Sequence, residues 1–316
     1  MRVLVTGARG FVGRHLVAHL LRRKYEVVGV GLKGDMPADG TGRESDWIVC
    51  DIRDKEELLE VVRSSRPDCI CHLAAYSSPR NSFSDFPGVL NTNFWGTFNL
   101  LEAARYTAPQ ARVVVVGSAQ CYGAAKTRQL PLLESHILGP KSPYSLSKAA
   151  ADLLAYYYYS HFHLDVVRAR PFNHTGPGQD SEFVSSGFAR QIVEIEMGLR
   201  PPEVLVGNLK VKRDFTDVRD VVRAYELLLR KGRAGEAYNV ASGKAVSIRR
   251  VLEILLAYTP VPIRVRVDGK RFRAEDTAVL YGSYSKLRRH TGWVPQIKLT
   301  TTLRQLIDYW RKTLQG

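Results

Sequence analysis

Tyr144 and Lys148 stand four positions apart in Tyr144-Ser145-Leu146-Ser147-Lys148, which puts a phenol and an ammonium one helical turn apart on one face. A free phenol has a pKa of about 10, too high for ready proton exchange at neutral pH. A neighbouring cation favours the phenolate and lowers that value. Such a pair can give a proton to, or take one from, an oxygen bound to carbon, help worth about 10²–10⁴ in rate. Ser118 follows the apolar run Val113-Val114-Val115-Val116 and can hydrogen-bond the same oxygen. Ser118, Tyr144 and Lys148 are therefore the expected catalytic group.

A second constellation names the partner in that chemistry. Thr6-Gly7-Ala8-Arg9-Gly10-Phe11-Val12-Gly13 lies between a strand-like Val3–Val5 and a helical run, Phe11 to Arg22. Glycines 7, 10 and 13 let the backbone approach a pyrophosphate, and the helix start at Phe11 and Val12 offers unpaired N–H groups. A dinucleotide is expected, with Lys148 also holding its ribose. The positive nicotinamide of the oxidised form would further favour phenolate at Tyr144. At the end of the second strand a carboxylate would bind the adenosine ribose hydroxyls. Here the residues are Gly31-Leu32-Lys33, with Arg9 nearby in the turn. Two cations and no acid favour NADP(H), with NAD(H) also accepted. The plainer reading of Lys33 is a solvated loop residue.

Strand-like and helical segments alternate through the first half. Val27–Val30, Trp47–Cys50, Asp68–Leu73, Val113–Val116 and Asp165–Arg168 read as short, almost wholly apolar strands. Helices are expected near Lys55–Ser64, Gly88–Arg105 and Tyr144–His161. This pattern predicts a parallel sheet covered on both faces. After Pro171 comes a loop rich in Gly, Pro and Asn, then an amphipathic helix near Phe183–Met197. Ala237–Val240 reads as a strand returning to the first domain. Helices at Arg249–Tyr258 and Thr302–Thr313 flank a strand at Ile263–Val267. The expected division is a nucleotide-binding domain over 1–170, with 210–245 crossing back, and a smaller α/β lobe over 171–209 and 246–316.

At 316 residues and 45% apolar content the chain can bury a substantial core. No apolar run of about 18 residues is present to span a membrane, and the first strand leaves no room for a leader peptide. Cys50, Cys69, Cys71 and Cys121 lack metal-type spacing, so reduced packed thiols are expected and no metal. A cytoplasmic, soluble protein follows. The net charge of +15 is scattered in pairs such as Arg230-Lys231 and Arg288-Arg289. No nucleic-acid motif accompanies it, and an anionic substrate and cofactor would benefit from the same field.

At these residues the chain resembles an extended short-chain dehydrogenase/reductase over nearly its whole length. Asp51-Ile52, His72-Leu73-Ala74-Ala75, Asn91-Thr92-Asn93 and Arg170-Pro171-Phe172-Asn173 carry the resemblance too. It implies a Rossmann-type doubly wound parallel sheet with a smaller C-terminal α/β substrate lobe. It also implies cofactor contacts at Asp51 and Ile52 (flanking adenine), at Leu73, Ala74 and Ala75, and at Asn93 and Pro171. A homodimer built on a four-helix bundle from the helices containing Asn93 and Tyr144 is implied as well. Without the resemblance, Asn93 or His72 reads as a satisfied core polar residue.

Asn173–Gln179, Phe188–Val193, Arg213–Asp220 and Arg273-Ala274-Glu275-Asp276 resemble the GDP-mannose 4,6-dehydratase and GDP-4-keto-6-deoxymannose reductase branch. That resemblance implies substrate contacts at Asn173, Arg190, Arg213 and Arg273, with Asp276 on ribose hydroxyls. Arginine forks suit a diphosphate. The bland alternative for Arg213 and Asp214 is a surface ion pair. Dehydratases of the branch carry a carboxylate where this chain has Gln120. A neutral amide cannot remove the C5 proton. The expectation is therefore reduction of GDP-4-keto-6-deoxy-D-mannose to GDP-D-rhamnose. The alternatives are a 4,6-dehydratase, a 4-epimerase, or a non-catalytic NADP-sensing protein.

Overall fold

The computed structural model describes residues 1–32, 47–78, 81–124, 127–272 and 277–315. Apolar runs form β1 (Arg2–Thr6), β2 (Glu26–Gly31), β3 (Trp47–Val49), β4 (Cys69–His72), β5 (Arg112–Val116) and β6 (Val166–Pro171). They alternate with α1 (Phe11–Arg22), α2 (Lys55–Ser65), α3 (Phe86–Leu90), α4 (Gly96–Thr107) and α5 (Pro143–Phe162). The strands pair in parallel in the order β3-β2-β1-β4-β5-β6, with the direction of winding reversing between β1 and β4. Side chains alternate between two cores. Val3, Val5, Cys71 and Val114 pack on Leu16 and Leu20 of α1. Leu4, Ile70, Val113 and Val115 pack on Leu58 of α2, Leu100 of α4 and Ala155 of α5. Each such Val or Leu contributes about 1.5–3 kcal/mol on burial. All four cysteines are free and buried, and burial pushes the Cys50 and Cys121 thiols up to about 12.

The helix predicted over Gly88–Arg105 exists but changes winding. Asn91–Trp95 forms a π-helical turn between α3 and α4. The wider turn carries Asn93 inward, where it is buried.

Beyond Pro171 follow β7 (Asn173–Thr175), α6 (Val184–Glu196), β8 (Glu203–Val206), β9 (Lys212–Arg213), β10 (Phe215–Asp217) and α7 (Val218–Lys231). Then come β11 (Ala237–Val240), β12 (Val246–Ser247), α8 (Ile248–Leu256), β13 (Arg264–Val267), β14 (Val279–Leu280), α9 (Ser285–Thr291) and α10 (Leu299–Gln315). β11 joins β6 in parallel as the seventh strand of the main sheet. Helices α6, α8 and α10 enclose a separate core containing Phe188, Ile192, Val251 and Leu306.

Two limits of the division read from the sequence move. The return to the first domain, placed at 210–245, begins later, because β9 and β10 pair within small sheets of the lobe. Helix α7 is the first element back on the main core, through Val221 and Leu228. Within 246–316, Leu287 of α9 and Trp293 are also buried in the main core, since α9 packs on β11 and α7. Among the described residues, no helix is long and apolar enough to cross a membrane.

Candidate active site

The carboxyl ends of β1, β4, β5 and β6 meet at one edge of the sheet, on either side of the reversal in winding. β1 runs into Gly7, whose φ of +67° favours glycine. A Cβ there would lie 2.6 Å from the Ala74 backbone nitrogen, and one on Gly13 would collide with the Gly7 carbonyl oxygen. Gly10 caps α1 without a side-chain hydrogen bond, and the first turn holds no acid. The N–H groups at Phe11 and Val12 therefore have no carboxylate or hydroxyl from their own cap to satisfy them. This close-approach turn with free donors fits a dinucleotide pyrophosphate. The Leu73–Ala75 segment lies alongside, since Leu73 N donates to the Thr6 carbonyl at 3.1 Å and Ala74 N to Thr6 Oγ1 at 3.3 Å.

Arg9 is buried at the end of β2. Its Nη1 donates to the Leu32 carbonyl at 3.1 Å, and its guanidinium lies 5.3 Å from the Trp47 ring centroid. That puts one cation at the carboxyl end of β2. Lys33 falls outside the described residues. Asp51 and Ile52 follow β3. Arg53 donates to Asp51 at 2.6 Å and holds its carboxyl below the usual range, while Asn99 Nδ2 donates to the Ile52 carbonyl at 3.0 Å.

Helix α5 starts by reciprocal capping. Ser145 N donates to Ser142 Oγ at 3.1 Å and Ser142 N to Ser145 Oγ at 2.8 Å, with Pro143 opening the first turn. Tyr144 thus sits in that turn with Lys148 one turn on, both buried. Lys148 Nζ donates to the Val116 carbonyl at 2.8 Å. Ser118 begins the 3₁₀ turn Ala119–Tyr122, accepting from Gln120 N at 3.2 Å. One expectation is reversed here. The Tyr144 phenol is not lowered; burial pushes it up to about 12, with the Ser118 hydroxyl pulling the other way. Burial also pushes Lys148 down to about 8. Removing each group from water penalises its charged form, and that penalty is the leading cause of both shifts. The neutral phenol is the form that donates a proton.

Asn93 is engaged within the protein. Its Oδ1 accepts from Tyr76 N at 2.7 Å, and its Nδ2 donates to Tyr76 O at 3.2 Å and Ser147 Oγ at 2.9 Å. With both amide hydrogens committed, Asn93 fixes the segment after β4 to α5. His72 is likewise satisfied, between Thr6 Oγ1 at 2.7 Å and Thr97 Oγ1 at 3.1 Å, and burial pushes its pKa down to about 3. Pro171 ends β6 opposite Val240, and Asn173 opens β7 opposite Phe215.

In the lobe, Arg213 on β9 donates from Nη1 to the Thr277 carbonyl at 2.6 Å. Arg273 and Asp276 fall outside the described residues. Asp214 is not half of a surface pair. It is fully buried and accepts from Ser242 N at 2.7 Å, Ser242 Oγ at 2.6 Å and Gly243 N at 3.0 Å. Arg190 is exposed on α6, bonded to Glu194 at 2.7 Å and to Ser181 at 3.2 Å, over the Trp310 ring.

The sequence reading assigned no role to Tyr122, Asp152 and Arg170. Arg170 forks onto Asp152 at 2.9 and 2.7 Å and donates to the Tyr122 hydroxyl at 3.0 Å. The available signal was spacing: Asp152 continues the Tyr144, Lys148 face by one more turn.

A parallel sheet of this winding, a glycine turn at its reversal and a Ser/Tyr/Lys group at its carboxyl edge define an extended short-chain dehydrogenase/reductase. The model of the family described as GDP-mannose 4,6 dehydratase matches residues 4–306, and the chain belongs to that family. GDP-6-deoxy-D-mannose reductase of Pseudomonas aeruginosa is 33% identical over 99% of this chain and 98% of its own length. The structure of RMD from Pseudomonas aeruginosa complexed with NADPH superposes with a TM-score of 0.85 at 33% identity, covering 99% of each chain. UDP-glucose 4-epimerase of Thermus thermophilus, complexed with NAD, gives 0.85 at 30% identity over 98% of this chain and 99% of its own.

Proposed function

We propose that this protein reduces the C4 ketone of GDP-4-keto-6-deoxy-D-mannose to GDP-D-rhamnose, using NADPH in preference to NADH. The observation that carries the reading is the pairing of an intact Ser118, Tyr144 and Lys148 with Gln120 in the adjoining turn. The group that protonates an alkoxide is present, and the amide at Gln120 cannot act as the base that dehydration requires. The likeness to the Pseudomonas aeruginosa reductase supports the same choice.

NADPH, when bound, supplies the hydride that the ketone carbon accepts. The glycine turn and the start of α1 hold its pyrophosphate, and Arg9, joined by Lys33, faces its 2′-phosphate. Lys148 holds the nicotinamide ribose. Leu73, Ala74, Ala75 and Pro171 line the cofactor cleft. Ser118 orients the C4 oxygen, and Tyr144 passes its proton to that oxygen and is reprotonated from solvent. Asn173, Arg190, Arg213, Arg273 and Asp276 hold the GDP-sugar, with the guanidinium forks on the diphosphate. Two chains pair through the helices bearing Asn93 and Tyr144. Exposed Trp95, Leu146, Leu153, Tyr156 and Tyr157 on those helices supply an apolar face for the pairing. The expected compartment is the cytoplasm.

Incubation with NADPH and GDP-4-keto-6-deoxymannose, read by NMR of the sugar, tests the assignment. GDP-D-rhamnose is expected, and the C4 epimer or unchanged ketone would overturn it. Tyr144→Phe is expected to lower kcat by about 10²–10⁴; full turnover by this variant would remove Tyr144 from its role.

A further inference from the structure

The turn that carries Ser118 and Gln120 ends in Tyr122, and that end is tied down from two sides. The Tyr122 hydroxyl donates to Asn239 Oδ1 on β11 at 2.7 Å and accepts from Arg170 Nη1 on β6 at 3.0 Å. The same guanidinium forks onto Asp152 of α5, at 2.9 Å from Nε and 2.7 Å from Nη2. Asp152 lies two helical turns beyond Tyr144. One arginine therefore connects the Ser118 turn to the helix that presents Tyr144. Asn239 Nδ2 extends the connection by donating to the Leu132 carbonyl at 3.0 Å, and Arg170 Nη1 also reaches the Glu134 carbonyl at 3.1 Å. Tyr122, Asp152, Arg170 and Asn239 are all buried.

We infer that Tyr122 is a positioning residue for the reduction, fixing the Ser118 turn against the Tyr144 helix through Arg170 and Asp152. The inference rests on the reductase reading above. A buried ion pair is a poor device for stability alone, since well-packed apolar side chains of the same volume serve as well or better. Hydrogen bonds are directional, however, and fix an angle that apolar packing leaves free. Ser118 and Tyr144 come from different elements and must address one substrate oxygen together. A displacement of about 1 Å in such a pair costs up to about 10²-fold in rate. Tyr122→Phe removes only the hydroxyl at the junction and keeps the ring beside Phe172, whose centroid is 6.4 Å away.

The test compares full-length Tyr122→Phe with Tyr158→Phe. Tyr158 lies on α5 and donates to Glu102 at 2.8 Å, so its loss removes one tyrosine hydrogen bond far from the Ser118 turn, where Tyr122→Phe removes two. Both variants are assayed for kcat, for KM of NADPH and for thermal midpoint, with GDP-4-keto-6-deoxymannose as substrate. Tyr122→Phe is expected to lose about tenfold in kcat with KM for NADPH within about twofold. Tyr158→Phe is expected to lower the thermal midpoint with kcat unchanged. Equal kcat for Tyr122→Phe and wild type, or equal losses in the two variants, overturns the inference and leaves the reductase reading standing. No turnover by wild type overturns the reading itself, and the positioning role falls with it.

Discussion

Lys148 donates its ammonium to the carbonyl oxygen of Val116 at 2.8 Å, anchoring the catalytic helix to the strand that leads into Ser118. The bond gives a buried cation one fixed partner. It also leaves the other two ammonium hydrogens for a ribose.

A pH dependence follows from that burial. Lys148 is pushed down from its ordinary 10.5 to about 8, so its charge is lost as pH rises through that value. If the charged form holds the cofactor ribose, NADPH affinity is constant below about pH 7.5 and falls above about pH 8. Lys148→Met should bind NADPH about tenfold more weakly at pH 7, with no step between pH 7 and 9. Fluorescence titration of both proteins across that range checks it. An identical step in the variant would assign the titration to another group.

The main sheet was legible because its strands are short, nearly all apolar and separated by amphipathic helices. The glycine turn was legible because Gly7 and Gly13 answer to local steric demands. The sign of the Tyr144 shift was not, since it depends on burial by residues distant in sequence. The commitment of Asn93 was hidden for the same reason: its partners Tyr76 and Ser147 are 17 and 54 positions away. The lobe gave little to read because β9, β12 and β14 are two-residue strands, too short to show a period. Asp152 and Arg170 carry charges that sequence logic places on a surface, yet each is the other's reason for being buried.

Gln120 offers a change of reaction rather than of rate. It follows Ser118 by two residues, in the turn that Ser118 caps. With GDP-mannose and NADP⁺, wild type is expected to form no 4-keto-6-deoxy product, because no carboxylate is available at that position to take the C5 proton. Gln120→Glu supplies one and is expected to give detectable product, while reduction of the ketosugar slows by about tenfold as a charge enters the pocket. Mass spectrometry of the sugar nucleotide follows both reactions. Dehydration by wild type at the level of the variant would show that the base resides elsewhere.

Asp214 ties β9 and β10 to the segment after β11, beside the arginine proposed for the diphosphate. Burial raises its carboxyl from 3.8 to about 6, against the pull of the Ser242 and Gly243 donors. The folded protein thus holds this proton more tightly than the unfolded chain does. The resulting stabilisation is fully present below pH 3.8 and is lost as pH rises through about 6. A shift of about 2 units corresponds to roughly 3 kcal/mol. Asp214→Asn has no charge to bury at any pH, but its amide hydrogens face the donors of Ser242 and Gly243, a mismatch of about 1–3 kcal/mol. Wild type should therefore be the more stable protein at pH 4, and by pH 7 the gap should move by about 2–3 kcal/mol towards the variant, enough to cancel or reverse that advantage. Urea unfolding of both proteins at pH 4, 5, 6 and 7 measures the gap. A constant gap would mean that the donors around Asp214 compensate its charge completely, and that the β9 strand bearing Arg213 is held with equal firmness across this range.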